Sequence, residues 1–308
     1  MNRSRCVAGL ALLVSACSMR TNAPLPPIAQ APTAAASSAA APPRLYVSDP
    51  LANAVLVYAT NGKMQQPIAT IRKGIAGPAG LAIDSAGNLY VANTVGNSVT
   101  EYGKNLGSPI ERYVTGVVGP VAVAVDDGGE LYVANFDSFA QAVVEFAPGG
   151  STPSGVISAP CGCYPIGLTL DASQDLYVAY DNFYSQTVVY EYPYGSTIGT
   201  LVNLQLGATR WETPGLAFDR ASNLLVSNAT LPGMQIFEPG RLRAHHIFGR
   251  RGSPRFFAFD SSERNLFVAD SQNSAVEVYG YASGKLIKTI TGGLQSAYGV
   301  AVSPRAPF

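Results

Sequence analysis

From residue 44 onward, short apolar runs alternate with clusters of Gly, Asn, Asp, Ser and Pro, a pattern that predicts short strands joined by tight turns rather than long helices. One segment keeps returning. Leu45-Tyr46-Val47 recurs as Leu89-Tyr90-Val91, Leu131-Tyr132-Val133, Leu176-Tyr177-Val178, Leu224-Leu225-Val226 and Leu266-Phe267-Val268, at intervals of 42 to 48 residues. Each of the last five follows an apolar strand that ends in Asp (Asp84, Asp126, Asp171, Asp219, Asp260) and a polar turn such as Ser85-Ala86-Gly87-Asn88. After it comes an alternating strand, as in Val55–Tyr58 or Val276–Tyr279, and then a fourth, as in Ile110–Thr115 or Leu286–Ile290. Four short antiparallel strands per repeat describe one propeller blade.

The N-terminal repeat lacks its innermost strand, and Gly299–Ser303 is a spare strand at the other end. Pairing the two closes a ring and removes an exposed sheet edge. The predicted fold is therefore all-β, a six-bladed β-propeller over 44–308 closed by the C-terminal strand on the N-terminal blade. Composition agrees. Hydrophobic residues at 47% and charged residues at 13% exclude a disordered chain. Twenty Lys+Arg against 20 Asp+Glu argue against a nucleic-acid binder or a polybasic membrane-surface protein.

Residues 1–16 read as an export signal: Arg3 and Arg5, an apolar run from Val7 to Val14, then Ser15 and Ala16. The run is far shorter than the roughly 20 residues a bilayer-spanning helix needs. Val14-Ser15-Ala16-Cys17 resembles the bacterial lipobox, which implies that Cys17 becomes the first mature residue and carries acyl chains. An ordinary cleaved signal with an incidental Cys is the other reading. By resemblance to enterobacterial sorting, Ser18 after Cys17 implies the outer rather than the inner membrane. Residues 17–43, rich in Ala and Pro, read as a tether. Cys161 and Cys163 remain, in Pro160-Cys-Gly-Cys-Tyr164. In an exported chain they suit a local disulfide, with free thiols or metal and redox chemistry as alternatives. Two thiolates alone do not complete a zinc site.

Gly77 to Asn93, Gly-Pro-Ala-Gly-Leu-Ala-Ile-Asp-Ser-Ala-Gly-Asn-Leu-Tyr-Val-Ala-Asn, resembles an NHL-repeat propeller, and the resemblance extends over 44–303. Such folds serve binding scaffolds, hydrolases and lyases alike, so function must come from the site. In each blade the loop leading into the inner strand lies at the mouth of the central channel on the top face, the default ligand site. Aligned repeats place Ala79, Val121, Ile166, Pro214, Arg255 and Tyr298 there. Gluconolactonase-like propellers hold a divalent metal at this mouth, and Glu212-Thr213-Pro214-Gly215 resembles the segment that supplies their Glu ligand. The partner Asn and Asp positions are Ala79 and Ile166 here, and one ligand is not an oxygen cage. The only histidines, His245 and His246, fall in an outer strand, away from the channel where a general base would be needed.

Asp49, Asn93, Asn135, Asn228 and Asp270 recur just after the Leu-aromatic-Val strands, as expected of residues that turn the chain at a strand end; Tyr180-Asp181 departs from the series. The repeated tyrosines read as core. Residues outside the repeat are the better functional candidates. Two neighbouring top loops collect Phe136, Asp137 and Phe139, and Tyr180, Asp181, Phe183 and Tyr184, a mixture typical of partner-binding anchors. Trp211 and Glu212 join Arg255 and Tyr298 on the same face, the other reading being that Glu212 simply pairs with Arg210 or Arg255. The expectation is a lipid-anchored envelope propeller, monomeric and without cofactor, metal or catalytic residues, that binds an envelope protein or glycan through its top face. The alternative is a metal-dependent lactonase-like hydrolase using Glu212.

Overall fold

A computed structural model describes residues 42–61, 64–138, 140–160, 162–182, 186–206, 214–228, 233–244, 246–248 and 252–306. Blade 1 begins with β1 (Arg44–Asp49), β2 (Ala54–Ala59) and β3 (Ala69–Ile71). Blade 2 holds β4 (Pro78–Ile83), β5 (Leu89–Asn93), β6 (Ser98–Tyr102) and β7 (Glu111–Tyr113). Blade 3 holds β8 (Pro120–Val125), β9 (Leu131–Asn135), β10 (Ala142–Phe146) and β11 (Gly155–Ser158). Blade 4 holds β12 (Tyr164–Leu170), β13 (Leu176–Asp181), β14 (Thr187–Tyr192) and β15 (Thr200–Val202). Blade 5 holds β16 (Leu216–Phe218), β17 (Leu224–Asn228), β18 (Gly233–Phe237) and β19 (His246–Phe248). Blade 6 holds β20 (Pro254–Phe259), β21 (Asn265–Asp270), β22 (Ala275–Gly280) and β23 (Lys285–Ile290), and β24 (Val300–Ser303) is the last strand.

Each blade is a four-stranded antiparallel sheet, and β24 is the inner strand of blade 1, in the order β24-β1-β2-β3. Its register on β1 runs Arg44↔Ser303, Leu45↔Val302, Tyr46↔Ala301 and Val47↔Val300. Neighbouring inner strands touch in an unbroken cycle, β24 to β4, β8, β12, β16, β20 and back to β24. The ring is closed as the repeat predicted.

The core lies between blades rather than at one centre. Tyr46, Val55 and Val57 of blade 1 pack on Ile83, Leu89 and Val91 of blade 2, and the next seams repeat the arrangement. A strand sandwiched between two other sheets is buried on both faces, which is why the Leu-aromatic-Val segments are continuously apolar instead of alternating. The outer strands β3 and β7 each bury only their last residue. Inner strands crowd together at the top of the channel, and at Gly167 and Gly299 they leave no room for a side chain. A Cβ on Gly167 would stand 2.3 Å from the Pro214 carbonyl, and one on Gly299 2.2 Å from the Ala79 carbonyl.

Two seams carry a buried serine. Ser48 Oγ accepts from Gly299 N–H at 2.7 Å and donates to the Ala79 carbonyl at 2.6 Å, tying blade 1 to blade 2. Ser227 does the same between Gly215 N–H and the Arg255 carbonyl, joining blade 5 to blade 6. Replacing Ser48 by Ala strands a buried donor and a buried acceptor. It is expected to cost about 1–3 kcal/mol, read as a lower midpoint in thermal or urea unfolding.

Candidate functional site

The loops leading into the inner strands are pinned by the recurring Asx residues. Asn93 Oδ1 accepts from Ala76 N–H at 2.9 Å and Asn135 Oδ1 from Val118 N–H at 3.1 Å. Asp49 and Asp270 accept from Gln295 and Ser253 N–H, and Asn228 donates to the Leu206 carbonyl. Turning the chain at the strand end is only part of their task, met at Asp49 by Ala52 N–H and at Asp270 by Gln272 N–H. Their second partners fix the loops that shape the channel mouth.

Blade 4 solves this differently. Tyr180 stands where the other blades have Asn or Asp, fully buried on β13, its hydroxyl 2.8 Å from that of Tyr192. It is therefore a core residue and not part of a loop surface, because β13 extends through Asp181. Cys163 occupies the position of Ala76 and Val118, two residues before the proline; it is buried and disulfide-bonded. Cys161, its candidate partner in sequence, lies outside the described residues, as does Cys17.

Asp181 is also withdrawn from the surface. The residue is 2% exposed, opposite Tyr164 and Thr187 in the sheet, and neither carboxylate oxygen has a hydrogen-bond partner among the described residues. Burial pushes its carboxyl up to about 6.

The remaining residues meet at the mouth. Ala79, Val121, Ile166 and Tyr298, four of the six aligned positions, line a cup of about 330 Å³ together with Pro50, Gly77, Pro78, Thr94, Val95 and Phe136. Among the described residues of that lining there is no Lys, Arg, Asp or Glu. Phe136 is half-buried, its ring 5.0 Å from that of Tyr164, and Asp137 beside it is half-buried and already partnered. Pro214 is buried. Arg255 lies behind Tyr298: its guanidinium carbon is 5.6 Å from the ring centroid and its Nε donates to Ser271 Oγ at 3.1 Å. Phe139, Phe183, Tyr184, Trp211 and Glu212 lie outside the described residues, so the lactonase-like alternative meets no structural evidence for its ligand.

Sequence reasoning missed Leu51 and Val95, which are 72% and 79% exposed at the top of blades 1 and 2. The signal was present. Pro50-Leu51-Ala52-Asn53 and Thr94-Val95-Gly96-Asn97 place a branched apolar residue inside a short turn, where polar residues are usual. It also missed the floor. After β24 the chain crosses beneath the channel, where Arg305 and Ala306 line a second cavity walled by all six inner strands. Arg305 donates to the Val125 carbonyl at 2.9 Å and pairs with Asp127 of blade 3.

No family model matches this chain, and no curated protein matches it. Among solved structures it is similar to a chain in a crystal structure of a nidogen/laminin complex, with a TM-score of 0.69 and 18% sequence identity over 85% of this chain and 98% of that one. At that identity the likeness shows the fold alone, and by fold this chain is a six-bladed β-propeller.

Proposed function

We propose that this chain is an NHL-like propeller, anchored to the bacterial cell envelope through acylated Cys17, that binds a partner protein by its top face without catalysing a reaction on it. The observation that carries the reading is the apolar cup, continued outward by exposed Leu51 and Val95. Contiguous exposed apolar surface rimmed by polar residues is characteristic of protein interfaces. A protein suits it better than a glycan, because the described residues of the lining offer few hydrogen-bonding side chains. The nidogen/laminin structure is itself a protein–protein complex, which is compatible support.

A photo-crosslinking amino acid at position 95 is expected to capture one defined envelope protein in living cells, whereas the same group at Ile198, an 81% exposed residue away from the cup, captures none. Leu51→Asp should weaken that complex about tenfold or more, the usual effect at an interface anchor, with an unchanged melting temperature. Equal capture at positions 95 and 198, or none at 95, rejects the top face. Cys17→Ser is expected to move the protein from the membrane to the soluble fraction, and retention on membranes would refute the anchor.

A further inference from the structure

We infer that the top-face cup takes a protein segment carrying an apolar side chain next to a carboxylate, and that Arg255 reads the carboxylate; this rests on the top-face binding proposed above. The cup, at about 330 Å³, sits near the lower limit of ligand pockets, roughly 300–1,000 Å³. It holds one large apolar side chain. A free small molecule of that size would meet Val95 in the lining but leave Leu51, outside it, uncovered, whereas a peptide lying across the top face covers both. The occupant is therefore read as an inserted anchor with flanking chain.

The charge pattern adds the second half. Arg220, Arg241 and Arg305 each pair with a carboxylate, on Glu263, Glu238 and Asp127 respectively. Arg255 does not. Stacking on Tyr298 and the Nε bond to Ser271 hold its guanidinium in place, while its terminal nitrogens have no hydrogen-bond or ion-pair partner among the described residues. A guanidinium fixed in this way has lost little further freedom when it meets a planar anion, which it binds through two parallel N–H donors. Tyr298 belongs to both features, lining the cup and carrying Arg255. The carboxylate must therefore sit within a residue or two of the apolar anchor. On the other side of the mouth Asp181 is buried and Asp137 is already engaged, so neither offers Arg255 an internal substitute.

The test uses the full chain in lipid nanodiscs and four probes followed by saturation-transfer NMR: acetyl-Gly-Leu-Asp-Gly-amide, its Asn and Lys counterparts, and octanoate. The Asp peptide is expected to bind about fivefold more tightly than the Asn peptide, the size expected of a partly exposed ion pair, with the Lys peptide weaker still. Added salt should shrink the preference, Arg255→Gln should abolish it without changing the melting temperature, and Phe136→Ala should weaken all three peptides alike. Equal binding of the Asp and Asn peptides, or a preference that survives Arg255→Gln, overturns the inference. So does octanoate binding without peptide binding, which would assign the cup to small amphiphiles. If no peptide binds while position 95 still crosslinks a partner, the acidic specificity falls and the top-face reading stands. If both fail, both fall.

Discussion

A chain ending at Gly293 is expected to show no cooperative thermal transition. Such a truncation removes β24, whose Val300, Ala301 and Val302 are 3%, 5% and 3% exposed. It also strips β1 of its inner neighbour, exposing one edge of Leu45, Tyr46 and Val47, which are at most 2% exposed in the ring. Each lost valine forfeits about 1.5–3 kcal/mol of burial, and the Ser48 bridge to Gly299 and the Asp49 bond to Gln295 go with it. The interface between blades 6 and 1 then has no inner strand to pack on, since β24 is the link between β20 and β4. Together these losses rival the whole stability of an ordinary domain, about 5–15 kcal/mol. Near-UV circular dichroism should lose its aromatic signal, and amide exchange in β1 should become fast. A synthetic peptide of residues 294–306 added to the truncated chain is expected to restore both. A truncation after Pro304 is the informative contrast: it keeps β24 and removes the Arg305 brace and the partly buried Ala306, so it should lower the melting temperature by a few degrees and leave the transition cooperative. A cooperative transition in the shorter chain would mean that blades 2 to 6 stand without closure.

Why the ring could be read from the chain while parts of its site could not follows from the same geometry. A propeller repeats one environment six times, so Leu45-Tyr46-Val47 and its five descendants announce a doubly buried strand each time, and aligned positions share one place in space. That alignment put Ala79, Val121, Ile166 and Tyr298 at one mouth, where the structure gathers them. Departures from the repeat are ambiguous in sequence. Tyr180-Asp181 looked like the start of an aromatic loop because the Asx that ends each sister strand was missing. The structure instead extends the strand and satisfies Tyr180 with Tyr192, a partnership that only the register of β13 on β14 reveals. Arg305 was invisible for another reason. Its acceptors lie 178 to 180 residues away in blade 3, and nothing local in Ser303-Pro304-Arg305-Ala306 hints at them.

Asp181→Asn is expected to stabilise the protein at neutral pH and to flatten its dependence on pH. A buried carboxylate without a hydrogen bond favours its neutral form, and here burial raises its proton affinity to about 6. In the unfolded chain the same group loses its proton near pH 4, as exposed aspartates do. Folding therefore takes up a proton between those values. The stability of the protonated form is complete below about pH 4 and is lost as the pH rises through about 6. Above that the ionised Asp181 costs about 2–3 kcal/mol, or roughly 4–10 °C in a domain of this size. Asparagine matches the protonated acid in shape and charge, so the two proteins should melt together at pH 4 and separate progressively toward pH 7.5, the variant higher. Glu101 and Glu145 are also raised by burial, so the difference between the two curves, rather than either curve alone, reports Asp181. Parallel curves across that range would mean that Asp181 ionises as readily in the folded ring as in water. Tyr164 of β12 pairs with Asp181 of β13, and its ring lies 5.0 Å from that of Phe136 at the rim of the cup. Substitution here therefore also asks whether blade 4 keeps an unpaired acid for binding: if Asp181→Asn stabilises the ring yet weakens capture at position 95, the cost is retained for the mouth, and if capture is unchanged it belongs to the fold alone.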